Sequence, residues 1–274
     1  MRRAGARALA ALAVAGAAAS PAAPALAQRS PDAATLDRAD GISRIGLDAA
    51  WVSVDSPAMD AALRLELFGQ YVAPSGLGFY GALPLARSVS DGGDETALGA
   101  IDVGMLYIIH RPTVSFAFRG GLGLPTAGDE PGELAVNLIA TQARLGDFAL
   151  VVPDALYGRL AFSPLIHTRG MFVRFDAGVD APISEGDEVD AQSLLRLNLA
   201  VGADLGPVAL SGELVNLIAT EEIGGEDFLH TVALSARFMG EVLQPFIAVG
   251  LPLDDSTREV VDLFISAGLQ VVVR

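Results

Sequence analysis

The chain has 274 residues with 18 Arg, no Lys, no Cys and 33 Asp plus Glu, for a formal net charge of −15. This composition excludes disulfides, thiolate metal sites and a lipid-anchored cysteine, and such acidity argues against nucleic acid as a partner, because phosphate binding needs clustered cations. Yet 51% of residues are hydrophobic and the mean hydropathy is +0.45, which is high for an acidic protein bathed in water.

The chain opens Met1-Arg2-Arg3, runs apolar from Ala8 to Ala19 and offers a small-x-small site at Ala25-Leu26-Ala27. These are the three parts of a secretory signal, so residues 1–27 are expected to be removed on export. Cleavage there leaves 15 Arg against 33 acids, a net charge of −18. Residues 28–41 are polar and contain Ala and Pro, and are expected to form a mobile periplasmic arm. Residues 42–274 carry the fold. No internal apolar run reads as a membrane helix. An exported, apolar chain without one is explained by a β-barrel, which spreads its lipid face over alternate residues.

Twelve segments alternate with period two: Ile45–Val54, Leu63–Tyr71, Leu77–Ala86, Ala100–Ile109, Val114–Leu124, Leu156–Pro164, Met171–Asp180, Leu195–Ala203, Val208–Leu217, Phe228–Phe238, Leu243–Leu251 and Val261–Val273. In the second, for example, Leu63, Leu65 and Leu67 oppose Arg64, Glu66 and Gln70. This repetition predicts an all-β, antiparallel up-and-down transmembrane barrel of about 12 strands. A soluble, secreted β-sandwich is the competing fold.

Every second connection is short: 72–76, 110–113, 167–170, 204–207 and 239–242. The others are longer and hold 21 acids against 3 Arg. Short turns on one rim and polar loops on the other match the periplasmic and external ends of an outer-membrane barrel.

Residues 131–145 break the pattern. Leu134, Ala135, Leu138, Ile139 and Leu145 recur at helical spacing, with Glu133, Asn137, Thr141 and Arg144 opposite. Pro131 suits a first helical position, and Asp129 or Glu130 a cap. A further hairpin is the alternative. A helix this apolar is expected to fold over the lumen or against the outer rim, which makes Leu134, Leu138, Ile139 and Leu145 candidates for a plug.

The inward parity collects Arg64, Arg119, Arg159, Arg174, Arg196 and Arg237 with Asp48, Glu66, Asp102, Asp176, Asp180, Glu213 and Asp262. Such charges either pair to fill a small barrel or line a narrow path that selects solutes. The outer acidic loops suit divalent cations bridging to lipopolysaccharide, although no Asp-x-Asp-x-Asp-Gly loop is present. His110 and His167 fall at short turns. His230 is lipid-facing near the outer rim, as in outer-membrane phospholipases, but those place a serine two residues on, where this chain has Val232. No catalytic group is therefore assigned. There is no glycine-rich phosphate loop and no metal-ligand cluster in the sequence, so no cofactor is expected.

The export signal, the alternation, the exit Gly-Leu-Pro-Thr-Ala-Gly-Asp-Glu after the fifth strand and the closing Phe264-Ile-Ser-Ala-Gly-Leu-Gln-Val-Val-Val273 resemble Gram-negative outer-membrane barrels. They are most similar to the transporter group associated with phenol meta-pathway degradation. That resemblance implies a porin-like channel for small, hydrophobic molecules, inserted into outer-membrane lipid by the barrel-assembly machinery. A structural or adhesive barrel with a plugged, salt-bridged lumen is the alternative. Such barrels commonly end on an aromatic residue, whereas this chain ends Val-Val-Val-Arg274.

Overall fold

The computed structural model describes residues 33–273 except 58, 91–93, 169, 185–190 and 224–225. The export segment and the start of the arm lie outside the described residues. The strands are β1 (Arg44–Ser56), β2 (Met59–Val72), β3 (Leu77–Val89), β4 (Thr96–Leu98), β5 (Asp102–His110), β6 (Val114–Gly123), β7 (Leu156–Thr168), β8 (Met171–Ser184), β9 (Leu194–Asp204), β10 (Val208–Ile223), β11 (Glu226–Phe238), β12 (Leu243–Pro252) and β13 (Val261–Val272). β4 and β5 pair with successive parts of β3, so they form one interrupted stave, and the barrel has twelve. Each stave is antiparallel to its neighbours, and β1 pairs with β13 from Arg44↔Val272 onward, which closes the sheet.

Alternation decides which residues face out. Ile45, Leu47, Trp51, Leu65, Leu67 and Tyr71 stand exposed on one parity of β1 and β2, while Arg44, Arg64, Glu66 and Gln70 are buried on the other. Repeated round the sheet, this gives an apolar outer belt that suits hydrocarbon, and a polar interior. All five short connections fall where the sequence places them. Two of the expected long loops are shorter: β2 starts at Met59, and β10 and β11 extend to Ile223 and Glu226, with Ser56 paired to Met59 and Ile223 to Glu226 at the tips.

Between β6 and β7 the chain forms α1 (Pro131–Ala140) and then 3-10 turns over Thr141–Val151, with a break at Arg144 (φ −146°, ψ 66°). The hairpin alternative is thereby excluded. Glu130 is the N-cap without a side-chain bond, and Pro131 occupies the first turn. These 21 residues are long and apolar enough to cross a membrane, which the sequence analysis did not recognise, but they fold into the barrel. A short helix, α2 (Asp255–Arg258), sits in the loop before β13.

The interior is packed by aromatic rings laid across glycines on neighbouring strands. Phe68 pairs with Gly46, Phe172 with Gly202, Phe264 with Gly250 and Phe246 with Gly268. Tyr80 spans two strands, and a Cβ on Gly104 or Gly121 would meet its hydroxyl at 2.6 or 2.2 Å. Glycine at these positions gives the ring its room.

Candidate functional site: the occupied lumen

The assigned periplasmic arm lies elsewhere. Ala33–Asp40 runs inside the barrel, with Ala33, Ala34, Thr35, Leu36, Ala39 and Asp40 all buried. It rises from the short-turn end, where Asp40 pairs with Arg44 and its carbonyl accepts from Gln70 Nε2 at 2.8 Å. Ala39 packs against Leu106, Ile108 and Ala117. Further in, Arg38 reaches Glu66 at 2.8 Å and also pairs with Asp48, its guanidinium 3.3 Å from the Phe68 ring centroid. Ala33 and Leu36 reach the apolar cluster of Leu145, Phe148, Tyr157, Leu194, Leu217 and Leu229 toward the long-loop end. A charged segment is stable there only because the wall supplies a partner for each charge.

Asp37 lies at the centre. Arg196 approaches one carboxylate oxygen at 2.7 Å, while Arg119 and Arg144 approach the other at 3.3 and 3.9 Å. Arg174 donates to the Asp37 carbonyl and holds both oxygens of Asp176 at 2.8 Å. Glu213 fixes the inner end of the arm, accepting from the Ala34 and Thr35 backbone N–H groups at 2.9 and 2.8 Å and from the Thr35 hydroxyl at 2.6 Å. Ser211 and Ser235 also donate to it, each at 2.8 Å.

The insert is the second occupant. Asp147 accepts from Arg64 at 2.7 Å and pairs with Arg144 at 2.8 Å and Arg159 at 3.4 Å. Arg159 continues to Asp102 at 2.8 Å and Asp180 at 3.2 Å, and Asp180 accepts from Arg196 at 2.8 Å. Arg64 also donates to Glu66 at 2.5 Å. One lattice of ions thus joins arm, insert and wall. The void beside Asp37, lined by Phe68, Tyr80 and Leu150, measures about 20 Å³, room for about one water.

Of the charged residues predicted to face inward, this lattice brings together Arg64, Glu66, Asp102, Arg119, Arg159, Arg174, Asp176 and Arg196, with Asp48 and Asp180. Glu213 stands apart as the clamp on the arm. Arg237 is buried with its guanidinium 4.6 Å from the Phe246 ring centroid. Asp262 is a correction: it is exposed beside Ser53. A bulge at Val52/Val54 against Val261–Phe264 changes the parity, so Asp262 leaves the inner face.

Among the plug candidates, Leu145 is fully buried, Leu138 and Ile139 pack partly against two apolar clusters, and Leu134 is half-buried. The supposed outer face of the insert is reversed in part. Asn137, Thr141 and Arg144 are buried, Asn137 donating to the Leu98 carbonyl at 3.1 Å and Thr141 accepting from Arg64 at 3.2 Å, whereas Ala135 is exposed. The target surface is polar, so the polar side chains turn toward it.

Sequence reasoning missed Asp37, Arg38, Asp40, Arg44 and Asp147. The available signal was the run Leu36-Asp37-Arg38-Ala39-Asp40, in which charges of both signs are interspersed with apolar residues. His230 faces outward and its Nδ1 lies 2.8 Å from Asn216 Oδ1, with Val232 next on the same face. Among the described residues no group of three or more His, Asp or Glu side chains is arranged to hold a metal.

No family model and no curated protein matches the chain. Solved structures do match it in fold. The COG4313 outer membrane channel from Pseudomonas putida F1 superposes with a TM-score of 0.61 at 14% identity, over 89% of this chain and 99% of that one. The NanC porin gives 0.53 at 8% identity, over 83% and 99%. The KdgM porin gives 0.53 at 12% identity, over 84% and 99%, and has also been solved in complex with disordered oligogalacturonate. Closed twelve-stave sheet, apolar belt and charged lumen define an outer-membrane β-barrel. Its fold is that of porin-like channels.

Proposed function

We propose that the protein is an outer-membrane channel for small solutes, held closed at rest by the arm and the insert. The observation that carries this reading is that two segments of chain, the arm and the insert, lie in the lumen among the wall's own inward side chains. The arm continues into β1 and belongs to no stave itself, so its withdrawal opens a path without unfolding a stave. The resemblance to the meta-pathway group implies small, hydrophobic solutes. Leu145, Phe148, Tyr157 and Leu194 at the long-loop end, which Leu36 of the arm covers, support an apolar stretch of such a path.

Conductance in planar bilayers tests the reading. Wild-type protein should show rare openings, and deletion of residues 28–41 should give sustained ones. The second reading, a plugged structural or adhesive barrel, is favoured by the insert, which Asp147 ties to the wall Arg64 and Arg159. Silence from a deletion protein that still migrates as a folded barrel on heat-modifiable gels would favour that second reading and sink the first.

A further inference from the structure

We propose that Asp37 occupies a carboxylate-binding site of the lumen, the place that a small carboxylate solute with an apolar body takes when the arm withdraws. The proposal rests on the channel reading for its physiological meaning. The site itself stands on geometry. Guanidinium groups from three elements, Arg119 of β6, Arg196 of β9 and Arg144 of the insert, converge on the two oxygens of one carboxylate at 3.3, 2.7 and 3.9 Å. Arg is the side chain suited to such planar, multidentate recognition.

These three cations do not depend on Asp37 to remain in place. Arg196 also holds Asp180 at 2.8 Å, Arg144 holds Asp147 at 2.8 Å, and Arg119 lies 3.8 Å from Asp102. The three cations are therefore held by wall and insert, while the arm brings the Asp37 carboxylate and backbone carbonyls that accept from Arg119 and Arg144 at 3.3 and 3.4 Å. The described arm carries Asp37 and Asp40 against Arg38, so its departure removes one net negative charge from the lumen. A buried surplus cation draws an anion in its place. The wall beside the guanidiniums offers an aromatic and apolar side as well as charge: Arg119 lies 3.9 Å from the Tyr80 ring centroid, and Phe68, Tyr80 and Leu150 line the adjoining void together with Glu66, Asp102 and Asp147, which are already paired with arginines. A charged head with a flat apolar body fits that combination. Because the Asp37 carboxylate is tethered, a free carboxylate competes against an effective concentration on the order of millimolar.

The test uses the full-length mature protein in detergent, with sodium benzoate as the probe, uncharged benzamide as its shape control and ionic strength held constant with sodium chloride. The readout is the temperature at which the folded gel band converts. In Asp37→Ala, benzoate should raise this temperature with saturation while benzamide leaves it unchanged. Wild type should need about tenfold more benzoate for the same rise. Equal response of wild type and variant, equal effect of benzamide, or no benzoate effect in Asp37→Ala each overturns the proposal. If Asp37→Ala does not fold, the near-isosteric Asp37→Asn replaces it with the same expected and overturning results. Benzoate-selective stabilisation without current in bilayers sinks the channel reading and leaves the site. Current without benzoate selectivity does the reverse.

Discussion

Glu213 holds the arm by three hydrogen bonds, from Ala34 and Thr35, and is itself positioned by two more from the wall hydroxyls of Ser211 and Ser235. Glu213→Gln keeps the shape but points an amide donor at groups that already donate. The expected loss is about 1–3 kcal/mol of arm docking, or roughly 5–150-fold in the docking equilibrium. The chain has no cysteine, so Ala34→Cys gives a clean reporter: a water-soluble maleimide should label it slowly, and faster by about that factor when Glu213→Gln is added. Equal rates would show that the clamp does not hold the arm. At Asp37, on the arm and outside the strands, burial pushes the carboxyl up, but Arg119, Arg196, Arg159 and Arg144 outweigh it and hold it well below the usual range. A carboxyl depressed in this way stabilises docking fully above its free value of about 3.9, and the contribution is lost only as pH falls through the lower docked value. Wild-type conductance should therefore stay unchanged from about pH 7 to about pH 5. A rise over that interval would contradict the assignment.

Among the elements, the strands were legible because each carries the same period-two pattern, and the repetition outweighs the weakness of any single one. The interruption at α1 was legible for the complementary reason, a switch to helical spacing. The orientation of its faces was not, because the usual rule sends polar residues to water, and here Asn137, Thr141 and Arg144 meet a polar wall. The arm was illegible since a short polar segment with Ala and Pro has no period, and its partners come from β1, β2, β6, β8, β9 and β10. The bulge that turns Asp262 outward has no sequence marker either. Leu145 offers a test of the insert. It is 1% exposed among Leu36, Tyr157, Leu194 and Leu217, so Leu145→Ala should cost about 2–5 kcal/mol, read in urea unfolding of the detergent-solubilised barrel. Gly202→Val tests the ring-over-glycine packing. A Cβ there would lie 2.3 Å from both the Leu210 carbonyl oxygen and the Phe172 ring, and overpacking of this kind costs about 1–3 kcal/mol or more.

For the molecule as a whole, the charge is one-sided: leaving out Asp147 and Arg144, which lie in the lumen, the long connections hold 20 acids against 2 Arg in the sequence. Their field repels anions at that mouth and is screened within about 10 Å at 0.1 M salt. In the form lacking residues 28–41, benzoate flux should therefore rise with ionic strength while phenol flux stays level. A benzoate flux independent of salt would remove the rim from any part in selectivity. The same arm bears on how such a sheet closes. The seam joins Arg44 to Val272, residues 228 apart in the chain. Thr35 reaches across the lumen to Glu213, and once that contact forms, only roughly 70 residues of loop remain to be ordered at the seam, which lowers the entropic cost of closure by about 1 kcal/mol. The segment that lies in the lumen thus also draws the first stave toward the last, and a barrel made without it should fold more slowly even where its finished wall is the same.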